Sequence, residues 1–270
     1  MDYKGKVAWI TGASSGIGAA LARGFAERGG HVILSGRDEG RLAEVAELCG
    51  ESLILPFDVR DDAALAEATE KAIAWKGHVD LAVANAGISQ RSRALKTDMQ
   101  VYRDIIDIDL TAQIAFSQSI IGHMAERGSG ALAFISSIAG KVGVPMRTAY
   151  SAAKFGLAGY ADALRGELSI NGVSVHAIYP GSVATNVSRN ALNADGTPRG
   201  VSDKAIDEGI RPDDAVKTML DGMAKGEREI IVAEGFELAM GDMRRTPDQL
   251  FDQVAAMVAN GYMDKMEAQS

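Results

Sequence analysis

Three residues of this chain have the types and spacing of a proton-transfer site. Tyr150 and Lys154 lie four positions apart, and Ser137 lies thirteen residues before the tyrosine. Side chains four positions apart share one face of a helix, so the phenol and the ammonium are expected to be close. A nearby cation lowers the phenol pKa from its ordinary value of about 10, which would make Tyr150 a general acid or base. The alternative is a core aromatic beside a surface lysine.

A glycine-rich turn lies between a predicted strand and a predicted helix near the N-terminus. The run 6–10 leads into the sequence TGASSGIG at positions 11–18, and a helical pattern follows at 19–28. Glycine lets a phosphate approach the backbone, and a helix N-terminus offers unpaired N–H groups and a positive dipole end. We expect a pyrophosphate to bind there, and the alternative is an ordinary tight connection. The expected contacts are Gly12, Ser14, Ser15, Gly16, Ile17 and Gly18.

Five motifs, in the same order along the chain, resemble those of the short-chain dehydrogenase/reductase family. The resemblance spans residues 11–185, and it implies a dinucleotide-binding fold and an oxidoreductase. The motifs are Thr11-Gly12-x-x-x-Gly16-x-Gly18, Asn85-Ala86-Gly87 after an apolar run, Ser137, the pair Tyr150 and Lys154, and Pro180-Gly181-Ser182-Val183-Ala184-Thr185.

The resemblance implies a role for each matched side chain. Ser137 would bind the substrate oxygen, and Tyr150 would give that oxygen a proton as hydride is transferred. Lys154 would hold the nicotinamide ribose and lower the pKa of the phenol, so both Tyr150 and Lys154 are expected to contact the cofactor as well. The other implied cofactor contacts are Asn85, Ala86 and Gly87 near the adenine ribose, and Pro180, Gly181, Val183 and Thr185 near the nicotinamide.

Short apolar runs alternate with helical patterns, of which 61–75, 99–127 and 149–168 are the clearest. Strands this apolar need helices on both sides, which predicts an α/β, doubly wound (Rossmann-type) sandwich with a mostly parallel seven-stranded sheet. Its ligand is expected at the carboxyl ends of the strands. The predicted strands are Val7–Ile10, His31–Leu34, Leu53–Phe57, Leu81–Ala84, Ala131–Ile135, Val173–Tyr179 and Glu229–Val232.

The end of the second predicted strand bears on the choice between NADP(H) and NAD(H). NAD-preferring members of the family usually have an acid where this chain has Gly36, so here no carboxylate repels a 2′-phosphate. The guanidinium of Arg37 can bind that phosphate. Against this, Ser15 stands where NADP enzymes often have a second basic residue, Asp38 follows Arg37, and Arg37 can instead be a solvated loop residue. We expect NADP(H) to be preferred, and NAD(H) is the alternative.

Asp58 and Val59 follow the third predicted strand and resemble the family's pair that contacts adenine, in which the carboxylate accepts from the exocyclic amine. The alternative for Asp58 is a cap on the helix that begins near Asp61. Small residues after Asn85 let the backbone pass close to the adenine ribose, and the side chain of Asn85 can tie neighbouring strands together.

Asp109 is a departure from the family, which usually has asparagine at this position. Asparagine there shapes a helix whose backbone carbonyl holds a water in the proton relay to the lysine, and Asp109 can do this through its backbone. An ionised carboxylate near Lys154 would raise the lysine pKa, but a buried unpaired carboxylate is costly. Asp109 is therefore paired, protonated or damaging to the site. We expect a working enzyme with a modified relay, in which Asp109 belongs to the catalytic set.

Residues 186–211 form a long polar connection without a regular pattern. Its length is typical of a lid over the substrate, and a disordered insertion is the alternative. We call these residues the lid segment. Together with it, a mostly apolar substrate pocket is expected to be defined by Ile88, Ser89, Gln90, Val144 and Met146.

A C-terminal helical extension is predicted at about 236–262. The sequences 137–146 and 228–247 resemble the hydroxysteroid-dehydrogenase-type and related dehydrogenase/reductase branch of the family. The extension contains an apolar stripe, for which core packing is favoured over a dimer contact or a membrane-surface face. The stripe consists of Leu250, Val254, Met257, Val258 and Tyr262.

Length and composition predict one domain over residues 1–270. The net charge of −8 argues against a nucleic-acid-binding protein. The first strand begins close to Met1 without a signal peptide, and no run approaches the roughly 20 apolar residues of a membrane span, so a cytoplasmic protein with no integral membrane segment is expected. Cys49 is the only cysteine, which excludes an internal disulfide and a thiolate metal cluster, and no metal is expected.

These observations predict an NADP(H)-dependent oxidoreductase that interconverts a ketone or aldehyde and an alcohol on a mostly apolar small molecule. The resemblance implies a homodimer or homotetramer built from the helices that begin near Met99 and Ala149. One alternative is a catalytically weak, dinucleotide-sensing regulatory protein on the same fold, which only Asp109 favours. The other is an epimerase or dehydratase, which the chain length and glycine spacing disfavour.

Overall fold

A computed structural model describes residues 2–267, so both ends of the predicted domain 1–270 lie outside the described part. Within 2–267, seven strands form one sheet in the order β3-β2-β1-β4-β5-β6-β7, and all neighbouring strands are parallel. The predicted doubly wound sheet is confirmed. The strands are β1 (Val7–Thr11), β2 (His31–Gly36), β3 (Ser52–Pro56), β4 (Leu81–Ala84), β5 (Gly130–Ile135), β6 (Val173–Pro180) and β7 (Glu229–Val232).

Each strand buries alternate side chains on opposite faces of the sheet. In β1, Ala8 and Ile10 belong to the core on one face, whereas Val7 and Trp9 belong to the core on the other. Helices cover both faces, which explains why the strands have no polar side. The first face is covered by α1 (Gly16–Glu27), α2 (Glu39–Ala46) and α8 (Pro212–Ala224), and the second by α3 (Asp62–Lys76), α5 (Ala112–Glu126) and α6 (Thr148–Glu167).

The strand order reverses between β1 and β4, which lie side by side with Ile10 paired to Val83. A crevice opens at the carboxyl ends of two such strands, and ligands of doubly wound sheets bind there. Asn85 follows β4 directly, and its Nδ2 donates hydrogen bonds to the carbonyl oxygens of Thr11 (2.8 Å) and Gly12 (3.3 Å). The predicted tie between neighbouring strands is therefore present at the crevice.

The helix predicted at 99–127 is interrupted by a π-helical turn (Asp107–Thr111), with α4 (Met99–Ile106) before it and α5 after it. The buried side chain of Gln113 donates from Nε2 to the carbonyl oxygens of Ala86 (2.7 Å) and Ile108 (2.8 Å). The π turn is thereby joined to the segment after β4. The predicted helical pattern is therefore present from Met99 to Glu126, and the π turn lies within it.

The lid segment packs on the body of the protein and contains a short helix, α7 (Lys204–Asp207). The backbone N–H of Leu192 donates to the carbonyl oxygen of Ser89 (2.8 Å), and Nε of Arg91 donates to Asp203 (2.6 Å). Burial raises the pKa of Asp203, but hydrogen bonds from Arg91, Arg199 and Ser188 outweigh it, and the net shift is downward. A charged carboxylate therefore fastens the segment to the body.

The C-terminal extension consists of α9 (Gly235–Met243), α10 (Asp248–Ala259) and α11 (Tyr262–Glu267). Core packing was the favoured interpretation of its apolar stripe, and this is wrong for most of the stripe. Only Val258 is buried, whereas Leu250, Val254, Met257 and Tyr262 are exposed. The helix α10 instead packs through Val258 and Phe251, whose ring lies under the guanidinium of Arg165 at 4.2 Å. Among residues 2–267, none of the helices is both long and apolar enough to cross a membrane.

Candidate active site

One cavity of about 1180 Å³ lies at the carboxyl ends of the strands. It brings together all the predicted site residues except Gly18, which lies behind the glycine turn. The predicted residues that line it are Gly12, Ser14, Ser15, Gly16, Ile17, Arg37, Asp58, Val59, Asn85, Ala86, Gly87, Asp109, Ser137, Tyr150, Lys154, Pro180, Gly181, Val183 and Thr185.

The glycine turn between β1 and α1 has the backbone shape that only glycine adopts easily. Gly12 and Gly16 have φ of +64° and +55°. A Cβ on Gly12 would lie 2.9 Å from the Cα of Ala86, and one on Gly18 would lie 2.3 Å from the carbonyl oxygen of Gly12. Ser15 precedes α1 but, within the described residues, its side chain makes no capping hydrogen bond. The first N–H groups of α1 are therefore open to a ligand in the cavity.

The helix α6 carries both Tyr150 and Lys154, and the predicted closeness of the two side chains is present. Nζ of Lys154 lies 5.6 Å from the centre of the Tyr150 ring. The lysine is buried, and its ammonium donates a hydrogen bond to the carbonyl oxygen of Ile135 at 3.1 Å. Tyr150 is only half-buried and lines the cavity. The ammonium therefore lies on the protein side of the tyrosine ring, and Tyr150 borders the cavity.

Asp109 is paired with this lysine. Its Oδ2 lies 3.1 Å from Nζ of Lys154, and its Oδ1 accepts a hydrogen bond from the backbone N–H of Ile88 at 2.8 Å. The carboxylate is completely buried. Of the three states expected for Asp109, the geometry is that of the paired one. Gly87 leaves room for the carboxylate, since a Cβ there would lie 2.9 Å from Oδ2.

Burial and pairing shift the pKa of each of these two groups in opposite directions. Burial lowers the pKa of the Lys154 ammonium, but the Asp109 carboxylate and the Tyr150 phenol raise it, and the net shift is upward. For Asp109, burial raises the carboxyl pKa and outweighs the opposing effects of Lys154 and of the N–H of Ile88. The pairing thus keeps Lys154 protonated in surroundings that would otherwise remove its proton.

Ser137 follows β5 and begins a single 3₁₀ turn (Ile138–Gly140). Its Oγ accepts a hydrogen bond from the N–H of Ala139 at 3.1 Å and donates a long one, of 3.3 Å, to the carbonyl oxygen of Pro180. Because β5 and β6 are neighbours in the sheet, the serine and the Pro180 segment lie side by side at the rim of the cavity.

Asp58 neither caps the following helix nor is free. Asp61 is the residue that caps α3, by accepting from the N–H of Ala64 at 3.0 Å. Asp58 instead binds Arg60 through two side-chain hydrogen bonds of 3.0 and 2.7 Å. The Arg60 hydrogen bond is the largest of the effects that lower the pKa of Asp58, to about 2. The sequence reading missed Arg60, although a cation two positions after Asp58 was a usable signal.

Arg37 lies on the same side of the cavity as Asp58 and is exposed. Its neighbour Asp38 also lines the cavity, but its carboxylate is bonded to Arg41: it caps α2 by accepting from the N–H of Arg41 at 3.1 Å, and it contacts the Arg41 guanidinium at 3.3 Å. In the part of the chain that the structure describes, the guanidinium of Arg37 has no hydrogen-bond or ion-pair partner. Arg37 therefore lines the cavity with a guanidinium that makes no ion pair there, and its charge contributes to the lowered pKa of Asp58.

The cavity continues under the lid segment, where apolar side chains line it together with Asn186 and Asn190. Of the five residues expected to define the substrate pocket, Ile88 lines this cavity. The other four do not, among the described residues: Ser89, Gln90, Val144 and Met146. Gln90 is buried. Its Oε1 accepts a hydrogen bond from the N–H of Ala149, in the first turn of α6, where backbone N–H groups have no partner within the helix. The apolar side chains that the lid segment contributes are Val187, Leu192, Pro198 and Ile206.

Comparison with known proteins agrees with this geometry. The family model described as short chain dehydrogenase matches residues 6–196. Dehydrogenase/reductase SDR family member 7B of Danio rerio is 36% identical over 242 residues, which cover 86% of this chain and 78% of that protein. The chain belongs to the short-chain dehydrogenase/reductase family. A second relative, dehydrogenase/reductase SDR family protein 7-like of Drosophila melanogaster, is 33% identical and covers 85% of this chain and 73% of its own length.

Solved structures of the family share the fold. A short-chain dehydrogenase from Sphingobium yanoikuyae, in complex with NADPH, has a TM-score of 0.73 and 27% identity, and covers 84% of this chain and 87% of its own. A short-chain dehydrogenase/reductase from Burkholderia phymatum, in complex with NAD, has a TM-score of 0.80 and 20% identity, and covers 92% and 98%. The latter likeness shows the fold alone. As a member of the family, this short-chain dehydrogenase/reductase is an NAD(P)-dependent oxidoreductase.

The close contact behind the glycine turn gives a first prediction. In Gly18→Ala, the new methyl would meet the carbonyl oxygen of Gly12 at 2.3 Å and Nδ2 of Asn85 at 2.6 Å, so the turn or the helix must shift. We expect the free energy of unfolding in urea to fall by about 1–3 kcal/mol. Gly122→Ala is the matched control, because it adds a methyl to an exposed helical position with open space. The control should gain up to about 1 kcal/mol, and equal behaviour of the two variants would contradict the steric account.

Proposed function

We propose that this chain is an NADP(H)-dependent oxidoreductase that interconverts a ketone or aldehyde and an alcohol on a mostly apolar small molecule. The observation that carries the proposal is the common cavity, which joins the glycine turn to Ser137, Tyr150 and Lys154. The apolar part of the substrate would lie under the lid segment, whose side chains line the same cavity. This segment would act as the lid that closes over the substrate.

The residues present fit a dinucleotide. The positive φ of Gly12 and Gly16 and the closely packed backbone beneath them leave the space above the turn for a pyrophosphate. The open N–H groups of α1 would hold that anion, and the segment Asn85 to Gly87 would pass beside the adenine ribose. Val183 and Thr185 would lie against the nicotinamide end.

The chain's own residues would move the proton at the substrate oxygen. The bound dinucleotide supplies the hydride in reduction and accepts it in oxidation. The hydroxyl of Ser137 would turn from its long contact with Pro180 to donate a hydrogen bond to the substrate oxygen. The hydroxyl of Tyr150 would give this oxygen its proton in reduction and take it back in oxidation. Lys154 would stabilise the phenolate that forms, because its ammonium stays charged beside the ring.

Asp109 would take part by holding Lys154 rather than by contacting the substrate. Its ion pair and the hydrogen bond to Ile135 leave the ammonium in one place beneath the phenol. The modified relay expected from the sequence would then differ from the usual one by a fixed charge: a carboxylate where the family usually has a neutral amide.

Removal of the Tyr150 hydroxyl tests its proposed role as the proton donor. Tyr150→Phe should lower kcat by at least about 100-fold, since positioned proton donors typically contribute 10²–10⁴-fold. Turnover would be followed by NADPH absorbance with a panel of small ketones and aldehydes. Dinucleotide binding, measured by fluorescence titration, should be kept because the glycine turn is untouched.

Tyr160→Phe is the matched control for this experiment. Tyr160 lies on the same helix, and its hydroxyl bonds to Ser117 and Gln118 at 2.8 Å, away from the cavity. This variant should keep turnover within a few-fold of wild type. Near-normal turnover of Tyr150→Phe, or equal losses in the two variants, would rule out the proposed proton donor.

The preference for NADP(H) is supported by the guanidinium of Arg37, which has no hydrogen-bond or ion-pair partner among the described residues, and by the absence of an acid at Gly36. A guanidinium without a partner is ready to bind a phosphate, and a hydrogen bond to a charged group is worth about 1.5–3 kcal/mol. Arg41 and Arg60 also line this end of the cavity, but Asp38 and Asp58 bind them. Arg37 is thus the residue that would discriminate between the two cofactors.

The Arg37→Gln variant tests recognition of the 2′-phosphate separately from recognition of the rest of the cofactor. We expect its Kd for NADPH to rise about 10- to 100-fold, in line with the loss of one charged interaction. NADH, which lacks the 2′-phosphate, is the internal control, and its Kd should stay within about threefold of wild type, because nothing else in the site changes. A wild-type enzyme that binds NADH more tightly than NADPH would contradict the proposed preference, and so would an equal loss for both cofactors.

A further inference from the structure

The C-terminal extension reaches the rim of the active-site cavity through one side chain. Glu237, on α9, accepts two hydrogen bonds from Ser182: one from the backbone N–H to Oε2 at 2.7 Å, and one from the hydroxyl to Oε1 at 3.0 Å. Both carboxylate oxygens of Glu237 therefore accept hydrogen bonds from the same residue, Ser182. Ser182 lies between Gly181 and Val183, which both line the cavity.

The carboxylate packs directly against the backbone of this segment. A Cβ on Gly181 would lie 2.4 Å from Oε2 of Glu237 and 3.0 Å from the Cβ of Ala233, so the glycine is what permits the approach. The carbonyl oxygen of Ser182 accepts from the N–H of Ile210 at 3.0 Å. Every polar group of Ser182 is thus engaged, and Glu237 accounts for two of the three bonds.

The helix that carries Glu237 is also anchored next to the turn that Ser137 begins. A buried ion pair joins Lys141 to Glu229 at 2.8 Å, and Lys141 also donates to the carbonyl oxygen of Arg244, just after α9, at 2.9 Å. Glu229 accepts from the backbone N–H of Thr246 at 2.8 Å. Lys141 directly follows the 3₁₀ turn that Ser137 begins. The extension is therefore bonded both to Ser182 and to Lys141, which follows the Ser137 turn.

We propose that Glu237 is a positioning residue, which holds residues 180–185 in the shape that receives the nicotinamide half of the cofactor. Glu237 does not itself line the cavity in the described structure, so it acts through Ser182. Loss of both acceptors would free the N–H and hydroxyl of Ser182 and release the backbone between Gly181 and Val183. The adenine half would lie at the opposite end of the cavity, near Arg37 and Asp58, and would not be affected. The inference rests on the proposed function, because it assigns residues 180–185 to the nicotinamide.

The test compares a whole cofactor with its adenine half. The probes are NADPH and adenosine 2′,5′-bisphosphate, which has the adenine, ribose and 2′-phosphate but no nicotinamide, and binding is measured by calorimetry on the full chain. If wild type prefers NADH, NADH and ADP replace them. In Glu237→Ala we expect the Kd for NADPH to rise about tenfold and the Kd for the bisphosphate to stay within about twofold.

Two further variants separate positioning from folding. Glu237→Gln keeps an acceptor oxygen but exchanges the other for an amide donor, so its Kd for NADPH should lie between those of wild type and Glu237→Ala. Phe236→Ala, on the same helix, removes a side chain that is 75% exposed and should leave both Kd values unchanged.

The outcomes are distinct. Unchanged binding of NADPH by Glu237→Ala overturns the positioning role while leaving the proposed function intact. Equal weakening of NADPH and bisphosphate, together with a lower Tm, also overturns it, because that result assigns Glu237 to general stability. A wild-type protein that binds neither NADPH nor NADH refutes the proposed function, and this inference with it.

Discussion

The site depends on a buried ammonium. Lys154 lies inside the protein, where a lone charge would lose its proton, and it stays charged because Asp109 and the carbonyl oxygen of Ile135 hold it. The charge has a fixed position, 5.6 Å from the centre of the Tyr150 ring. The proposed chemistry needs both properties, since a neutral or mobile amine would not stabilise a phenolate.

Much of the neighbouring structure serves to place the partner of that ammonium. The π turn brings Asp109 to the end of β4, Gln113 ties the turn to Ala86, and the N–H of Ile88 fixes the orientation of the carboxylate. Gly87 is the residue that makes room for it. The carboxylate of Asp109 is therefore held by one hydrogen bond to Oδ1 and by the ion pair at Oδ2, and the site is organised around that ion pair.

The sequence predicted those parts of the fold and site whose residues are close together along the chain. Tyr150 and Lys154 are one helical turn apart, and the glycine turn follows a strand, so spacing alone placed them correctly; apolar runs gave the seven strands. It failed where an arrangement depends on distant contacts. The helical pattern at 99–127 did not indicate the π turn within it. Gln90 is buried and accepts from an N–H of α6 instead of lining the cavity. Most of the extension's stripe is exposed, and α10 packs through Phe251 and Val258. Glu237 acts on Ser182, which is 55 positions away in the sequence, so a linear pattern does not reveal the contact.

The ion pair can be tested most directly by a double-mutant cycle on the free energy of unfolding in urea. Asp109→Asn and Lys154→Met each leave one buried charge without a partner, whereas the double variant leaves none. Each single change should cost about 3–5 kcal/mol, and the double variant should cost less than the sum by at least about 1 kcal/mol. Additive losses, within about 0.5 kcal/mol, would show that the two side chains are not a charged pair and would contradict this account of the site.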